Sequence, residues 1–333
     1  MADRLDRLLL EAALARPEEA AGAWAPLRRA LEQTGGIDAL RDHRQHLLGL
    51  VHATALAAHD DGPVVRRLAG ATRHIWTANQ LALRRLKEAF DAIEQHRPLV
   101  TGDAALSAGC GGRRPIHHLA LQVHPDRHAD AVTCLKGHGW MPAPPHHRVS
   151  APSVTRFDGL VLVSSFVADG VPMGLVGYEG RRVDDAFLLA EQLADHSGWY
   201  PRPAPLRIVD LVLTSRRIGA DGWDIALDHI RERHLVVPAR RRLSPGDLPA
   251  SVRDAIAAMP IDGRDRMTAW TERFSSTVAV HVEQTRDESL WRAVVALPGT
   301  LQQAWDLSSP WQLPIGAGRR VRRRTRPPTP MRT

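Results

Sequence analysis

Cysteine is almost missing from this chain: Cys110 and Cys134 are the only two in 333 residues. Two thiols cannot build a disulfide framework, and they read as the reduced cysteines of a cytoplasmic protein. Long apolar runs are missing as well. No stretch reaches the roughly 18 consecutive apolar residues of a membrane-crossing helix, so no membrane partner is expected. The opening residues, Met1 to Arg7, alternate charge with leucine and lack the apolar centre of a secretory signal. Aromatic residues are sparse at 5%, but nine of them are Trp, the ring type best suited to anchor a core or an interface. Positive charge is in excess only at one end. Arg319, Arg320, Arg322, Arg323, Arg324, Arg326 and Arg332 stand after residue 318 without a single acid, and these seven equal the whole formal excess of +7. The rest of the chain is balanced, so basicity belongs to a Pro-rich tail and not to a folded surface. That tail is either a solvated, disordered end or an anchor for nucleic acid through Arg319–Arg326.

What is present is enough for a core. Hydrophobic residues make up 44% and charged residues 24%, which excludes global disorder. Residues 1–97 read as helices: Leu5, Leu8, Leu9 and Ala12 recur at helical spacing, and about 64–96 places Leu68, Ile75, Leu81, Leu86, Phe90 and Ile93 mainly on one stripe before Pro98. Residues 98–182 change character. Leu99-Val100 leads into Thr101-Gly102-Asp103, a short strand, a glycine turn and a helix start. Ile116–Val123 and Leu160–Val163 read as strands, Asp126–Gly137 as a helix closed by glycine, and Val171–Tyr178 as a further strand. Residues 183–312 are helical again, and 313–333 form the tail. The expected class is therefore α+β, a small mixed sheet flanked by N-terminal and C-terminal helical regions.

Few side chains announce chemistry. His117, His118, His124, His128, His138, His146 and His147 crowd the middle of the chain. His124 and His128 are four apart, but Pro125 marks a loop-to-helix boundary between them and a zinc site needs three or four converging ligands. The segment Gly109-Cys110-Gly111-Gly112-Arg113-Arg114 could cradle a phosphate, yet no Gly-Lys-Ser/Thr follows, so it also reads as a flexible connection. Arg113 and Arg114 are candidate anion contacts at a cleft rim, with a structural role for Arg114 equally open. Asp103 reads as a helix cap before a metal ligand. Asp184-Asp185 reads as charge at a helix N-terminus. Ser164-Ser165, Asp195 and His196 form no readable triad.

The order of several landmarks resembles a known family. Arg73, Trp76 and Asn79 sit on a helix before the core; Thr101-Gly102 and Leu106 follow; then come Arg114-Pro115-Ile116, Gly139-Trp140, His196, Leu206-Arg207 with Asp210, and Trp223-Asp224. Over roughly residues 10–250 this order is similar to the uncharacterised nucleotidyltransferases, which share the polymerase-β-type nucleotidyltransferase fold. The resemblance implies a nucleotidyltransferase-like core at 98–182. It also implies a strand bearing Asp-x-Asp that holds Mg²⁺ and a nucleoside triphosphate. Here the two carboxylate positions fall on His118 and Ala120, and the family's Lys-Gly pair is Thr101-Gly102. A third carboxylate, expected from the strand at Leu160–Ser164, is missing too, with Asp158 the nearest acid.

Residues two apart on a strand share a face, so His118, Ala120 and Gln122 form the row that should carry the acids. Mg²⁺ prefers oxygen ligands, which imidazole and methyl do not offer. The leading expectation is a catalytically degenerate member, a pseudoenzyme with no metal site, binding a ligand or partner in a biosynthetic pathway with peptide modification as the candidate setting. The candidate cleft is Gly102, Asp103, Arg113, Arg114, His118, Gln122 and Asp158. The alternatives are an active Mg²⁺-dependent transferase with displaced ligands, and a nucleic-acid accessory protein that uses its arginine tail.

Overall fold

The computed structural model describes residues 2–40, 42–143, 154–165, 170–175, 178–194, 204–232, 234–241 and 250–266. The tail at 313–333 and nearly all of the helical stretch read at 264–306 lie outside these residues. Among the described residues no helix is long and apolar enough to cross a membrane.

Helices come first: α1 (Ala2–Leu14), α2 (Ala20–Gln33), the single turn α3 (Asp42–Gln45), α4 (Leu48–Ala57) and α5 (Pro63–Ala92). The helical spacing of Leu8, Leu9 and Ala12 puts one face of α1 against Trp24, Leu27 and Leu31 of α2 and Leu48 and Val51 of α4. Polar groups inside this layer are satisfied. The Trp24 indole N–H donates to Asp60 Oδ2 at 2.6 Å, and Thr54 Oγ1 donates to the Ala12 carbonyl at 2.7 Å. The Trp24 bond and the Gly62 amide hold the Asp60 carboxyl below its usual range.

Pro63 starts α5 where a missing N–H costs nothing. The helix is 30 residues long and serves two cores. Leu68 belongs to the N-terminal cluster, while Leu83, Leu86 and Ala89 pack on the sheet. Leu81 corrects the stripe read from the sequence. At about 100° per residue it falls opposite Leu86 and Phe90, and it is 67% exposed. Leu83 and Ala89 take the buried places instead.

The sheet has six strands in the order β3-β4-β2-β1-β6-β5. They are β1 (Leu99–Thr101), β2 (Leu119–Val123), β3 (Val154–Phe157), β4 (Leu160–Ser164), β5 (Val171–Pro172) and β6 (Arg181–Arg182). It is a mixed sheet: β1 is antiparallel to β2, while β2 and β4 run parallel. Between β1 and β2 lies α6 (Gly102–Gly109), and between β2 and β3 lies α7 (Pro125–Gly137). The strand expected from Ile116 begins only at Leu119, and the one expected at 171–178 is reduced to two residues. The β3–β4 hairpin, turned by Gly159 at φ +72°, has no counterpart in the sequence reading. Leu119, Leu121 and Val123 face the helices with Leu160 and Leu162. Ala120 lies on the opposite face, with Val154, Val161 and Val163.

Helices return after β6 with α8 (Asp185–Ala194), α9 (Ala204–Arg217), α10 (Ala220–Glu232), α11 (Val236–Arg241) and α12 (Ala250–Ala258). Leu189, Leu193, Ile230, Val236 and Ile256 form a third cluster. In contrast, α9 turns Leu206 and Val209 into the N-terminal cluster, so the C-terminal helices are tied back to the front of the chain.

The contact between α4 and the loop before β2 is close enough to test. A Cβ on Gly49 would lie 2.2 Å from the Arg113 carbonyl oxygen. Alanine ordinarily favours a helix by up to about 1 kcal/mol over glycine. Here the backbone clash dominates, and Gly49→Ala is expected to lower stability by about 1–3 kcal/mol in chemical denaturation.

Candidate functional site

The site grows from the turn between β1 and α6. Gly102 takes φ +63°, a conformation that a side chain would strain, and a Cβ there would lie 3.4 Å from the Cβ of Ala120. Thr101 pairs with Ala120 across the antiparallel ladder, and Leu99 pairs with Gln122. The start of α6 is thereby laid against the middle of β2.

Asp103 follows in the first turn of α6, with its side chain turned into the interior. Arg114 meets it there. Arg114 is fully buried, as are its two acids, Asp103 and Asp210. Its Nε and Nη2 donate to the two oxygens of Asp210 at 2.6 and 2.8 Å, and Nη2 also donates to Asp103 Oδ1 at 2.9 Å. This is the two-pronged geometry in which a guanidinium binds carboxylate best. Burial works against the charge on Arg114, but Asp103 and Asp210 outweigh it and push its pKa up, so the group stays ionised. The other oxygen of Asp103, Oδ2, accepts the backbone N–H groups of His117 and His118 at 3.2 Å each. Asp103 therefore does not cap α6 as its position suggested; Thr101 occupies the N-cap position, and Asp103 braces the loop entering β2.

Two neutral side chains complete the brace. Asn79 on α5 donates to the carbonyls of Gly112 and Arg114 at 2.9 Å and accepts from the Ile116 amide at 2.8 Å. Ser107 Oγ donates to the Arg114 carbonyl at 2.6 Å. These side chains satisfy the backbone of Ile116–His118 in place of a strand partner, which explains why β2 starts at Leu119. The glycine-rich segment is thus a pinned connection. Cys110 within it is half-buried, and that burial pushes its thiol pKa up.

The remaining candidates fall in different places. Arg113 is exposed, so of the two arginines only this one reaches a surface. His118 is half-buried, and its ring lies 6.4 Å from that of His117, which meets His46 edge-on at 4.3 Å. Gln122 is 1% exposed, and its Nε2 has no hydrogen-bond acceptor among the described residues. Asp158 is exposed in the hairpin turn, where Arg85 donates to its carbonyl at 2.8 Å. The structure brings Gly102, His118, Ala120 and Gln122 together along β1 and β2. It leaves Asp158 outside this group and commits Asp103 and Arg114 to each other.

The histidine pair of α7 separates. His124 caps the helix and accepts from the Asp126 amide at 3.3 Å, while His128 lies 3.4 Å from Thr155 Oγ1. Asp184 accepts from the Phe187 amide at 2.6 Å at the start of α8. His146, His147, Asp195 and His196 lie outside the described residues. Sequence reasoning missed Asn79 as a brace and Asp210 as the partner of Arg114. Both appeared only as landmarks in a motif order, and nothing local to either names its partner.

Two measurements follow. Asp210→Ala removes one partner of a buried ion pair and is expected to cost about 3–5 kcal/mol of stability, read from denaturant midpoints. For His52, burial first and Arg113 second hold the pKa below its ordinary 6.5. Its folded pKa being the lower one, stability is complete above pH 6.5 and declines as acid protonates the unfolded chain preferentially. The melting temperature is expected to fall between pH 7.5 and 5.5, and less steeply in His52→Gln.

Compared with known proteins, the chain matches no family model, no curated protein and no solved structure.

Proposed function

We propose that this chain is a nucleotidyltransferase-like protein that has left nucleotide transfer and uses the face of the central strand β2 beside Gly102 to hold a ligand or a partner, with a peptide of a biosynthetic pathway as the candidate. Support for the likeness comes from the connectivity: a strand, a glycine turn, a helix, an antiparallel strand, a second helix and a hairpin whose second strand runs parallel to β2. Fold alone does not set activity, so the side chains decide.

One observation carries the reading. The row that the resemblance assigns to the Asp-x-Asp pair is His118, Ala120 and Gln122, and the nearest acid, Asp103, is spent on Arg114 and two backbone amides. Phosphoryl transfer is mainly positioning and charge neutralisation by metal ions held on carboxylates. Among the described residues, no three metal-capable side chains converge at this row. Val154, Val161 and Val163 form a small buried apolar cluster against Ala120, and Gln122 on the same strand is a buried polar group.

The test is incubation of the purified full chain with each labelled nucleoside triphosphate, Mg²⁺ and candidate peptide acceptors. The expected result is no incorporation above that of a heat-denatured control. Mg²⁺-dependent incorporation that is lost in His118→Ala or Gln122→Ala would overturn the proposal in favour of displaced ligands. A complementary gain is expected as well: the double substitution His118→Asp with Ala120→Asp should create Mg²⁺ binding measurable by calorimetry where the unaltered chain shows none.

A further inference from the structure

Away from the sheet, the turn after α10 meets the segment after α12. His234 leaves α10 at φ +56°, and Leu235–Val236 leads into α11. Asp262 and Asp265 follow the end of α12. One donor atom each from His234, Asp262 and Asp265 lies within 4.8 Å of the other two, and among the described residues this is the single grouping of its kind.

The side chains differ in burial, and that difference carries the argument. Asp265 is 3% exposed. Its oxygens accept the backbone amides of Asp262 at 2.9 Å and Val236 at 3.4 Å, and its carboxyl also meets the Asp262 carboxyl. Among the described residues no lysine or arginine pairs with it, although Arg264 and Arg266 flank it in sequence. Asp262 adds a second carboxylate, with the His234 ring 3.5 Å away and the Asp265 amide donating to it at 2.7 Å. A buried carboxylate without a cationic partner is costly, and proteins offset such a charge by pairing or by a metal ion. Reciprocal amide bonds between Asp262 and Asp265 explain the position of both side chains but supply no counter-charge.

We infer that His234, Asp262 and Asp265 form a binding site for a first-row divalent transition ion such as Zn²⁺. One imidazole and two carboxylates suit that class better than Mg²⁺ or Ca²⁺, which favour all-oxygen shells. Zinc bonds of about 2.0–2.2 Å place tetrahedral ligands about 3.4 Å apart, so the site closes by rotation of the two more exposed side chains toward Asp265. Asp265 forms the floor, and His234 and Asp262 form the solvent-facing rim. Three protein ligands leave a fourth position for water or for a donor from a partner. Nothing in this inference depends on the reading of the β2 row.

The experiment uses the full chain stripped with chelator, titrated with Zn²⁺ by calorimetry at pH 7.5 and followed by thermal melting. Asp265→Asn can weaken folding by itself, so His234→Gln is the deciding variant, because this ring takes no part in the amide bonds of the turn. Expected is one more Zn²⁺ bound by the unaltered chain than by His234→Gln, or at least a tenfold weaker affinity in the variant. Zinc should also raise the melting temperature of the unaltered chain alone. Equal stoichiometry, affinity and melting shift in the two proteins would reduce the cluster to a backbone cap and overturn the site, with any zinc then bound by other histidines or cysteines.

Discussion

A buried guanidinium between two buried carboxylates holds this fold in register. Arg114 lies in the loop before β2, Asp103 in the first turn of α6, and Asp210 on α9, 96 residues further along. Taking three charges out of water is costly, and their attraction offsets that cost only when geometry and additional hydrogen bonds are good. Here they are good: Asp210 binds Arg114 through two parallel bonds, and Asp103 receives two backbone amides besides. An apolar triad of similar volume would fill the space but would not specify it. The ionic one accepts a single arrangement of α6, the loop and α9, and so brings the C-terminal helices to the N-terminal layer.

The same arrangement positions the face of the central strand β2. With Asn79, Ser107 and Asp103 holding Gly112 to His118, the chain enters β2 at a fixed phase, and His118, Ala120 and Gln122 take the places they have. A strand has period two, so a slip by one residue would exchange this row for Leu119, Leu121 and Val123 and expose the core. The composition of the candidate site is thus a consequence of the brace. Asp103, beside the glycine turn and acidic, is close enough in sequence to serve as a ligand, but the brace needs its charge elsewhere. Tyr178 illustrates the same economy: burial is the main cause pushing its pKa up, and its hydroxyl has no partner among the described residues, so it acts as a large apolar ring against Phe90.

Several elements were legible in the residues because their signals are local. The helical spacing of Leu8, Leu9 and Ala12, the glycine at the end of α7, and the glycine turn at Gly102 each name their own conformation. Leu160 to Val163 declares a buried strand by composition. Signals failed where the deciding partner is remote. Leu81 looks like a core leucine until the phase of a 30-residue helix is set by what packs on Leu86. Ile116 to His118 look like strand until Asn79 and Asp103 claim their backbone groups. The first strand of the β3–β4 hairpin, Val154-Thr155-Arg156-Phe157, carries no apolar run, and only its pairing with β4 makes it a strand.

The sequence by itself determined the α+β class, the order of helical region, sheet region and helical region, and the absence of a carboxylate at positions 118 and 120, because these depend on residue identity and on short periodicities. Tertiary structure alone decided that Arg114 is interior, that Asp103 and Asp210 share it, and that His234 meets Asp262 and Asp265. The physical reason is separation along the chain: an ion pair spanning 96 residues, or a cluster assembled from both sides of α11 and α12, leaves no mark in any local window. Its partners become definite only when packing has fixed which surfaces touch.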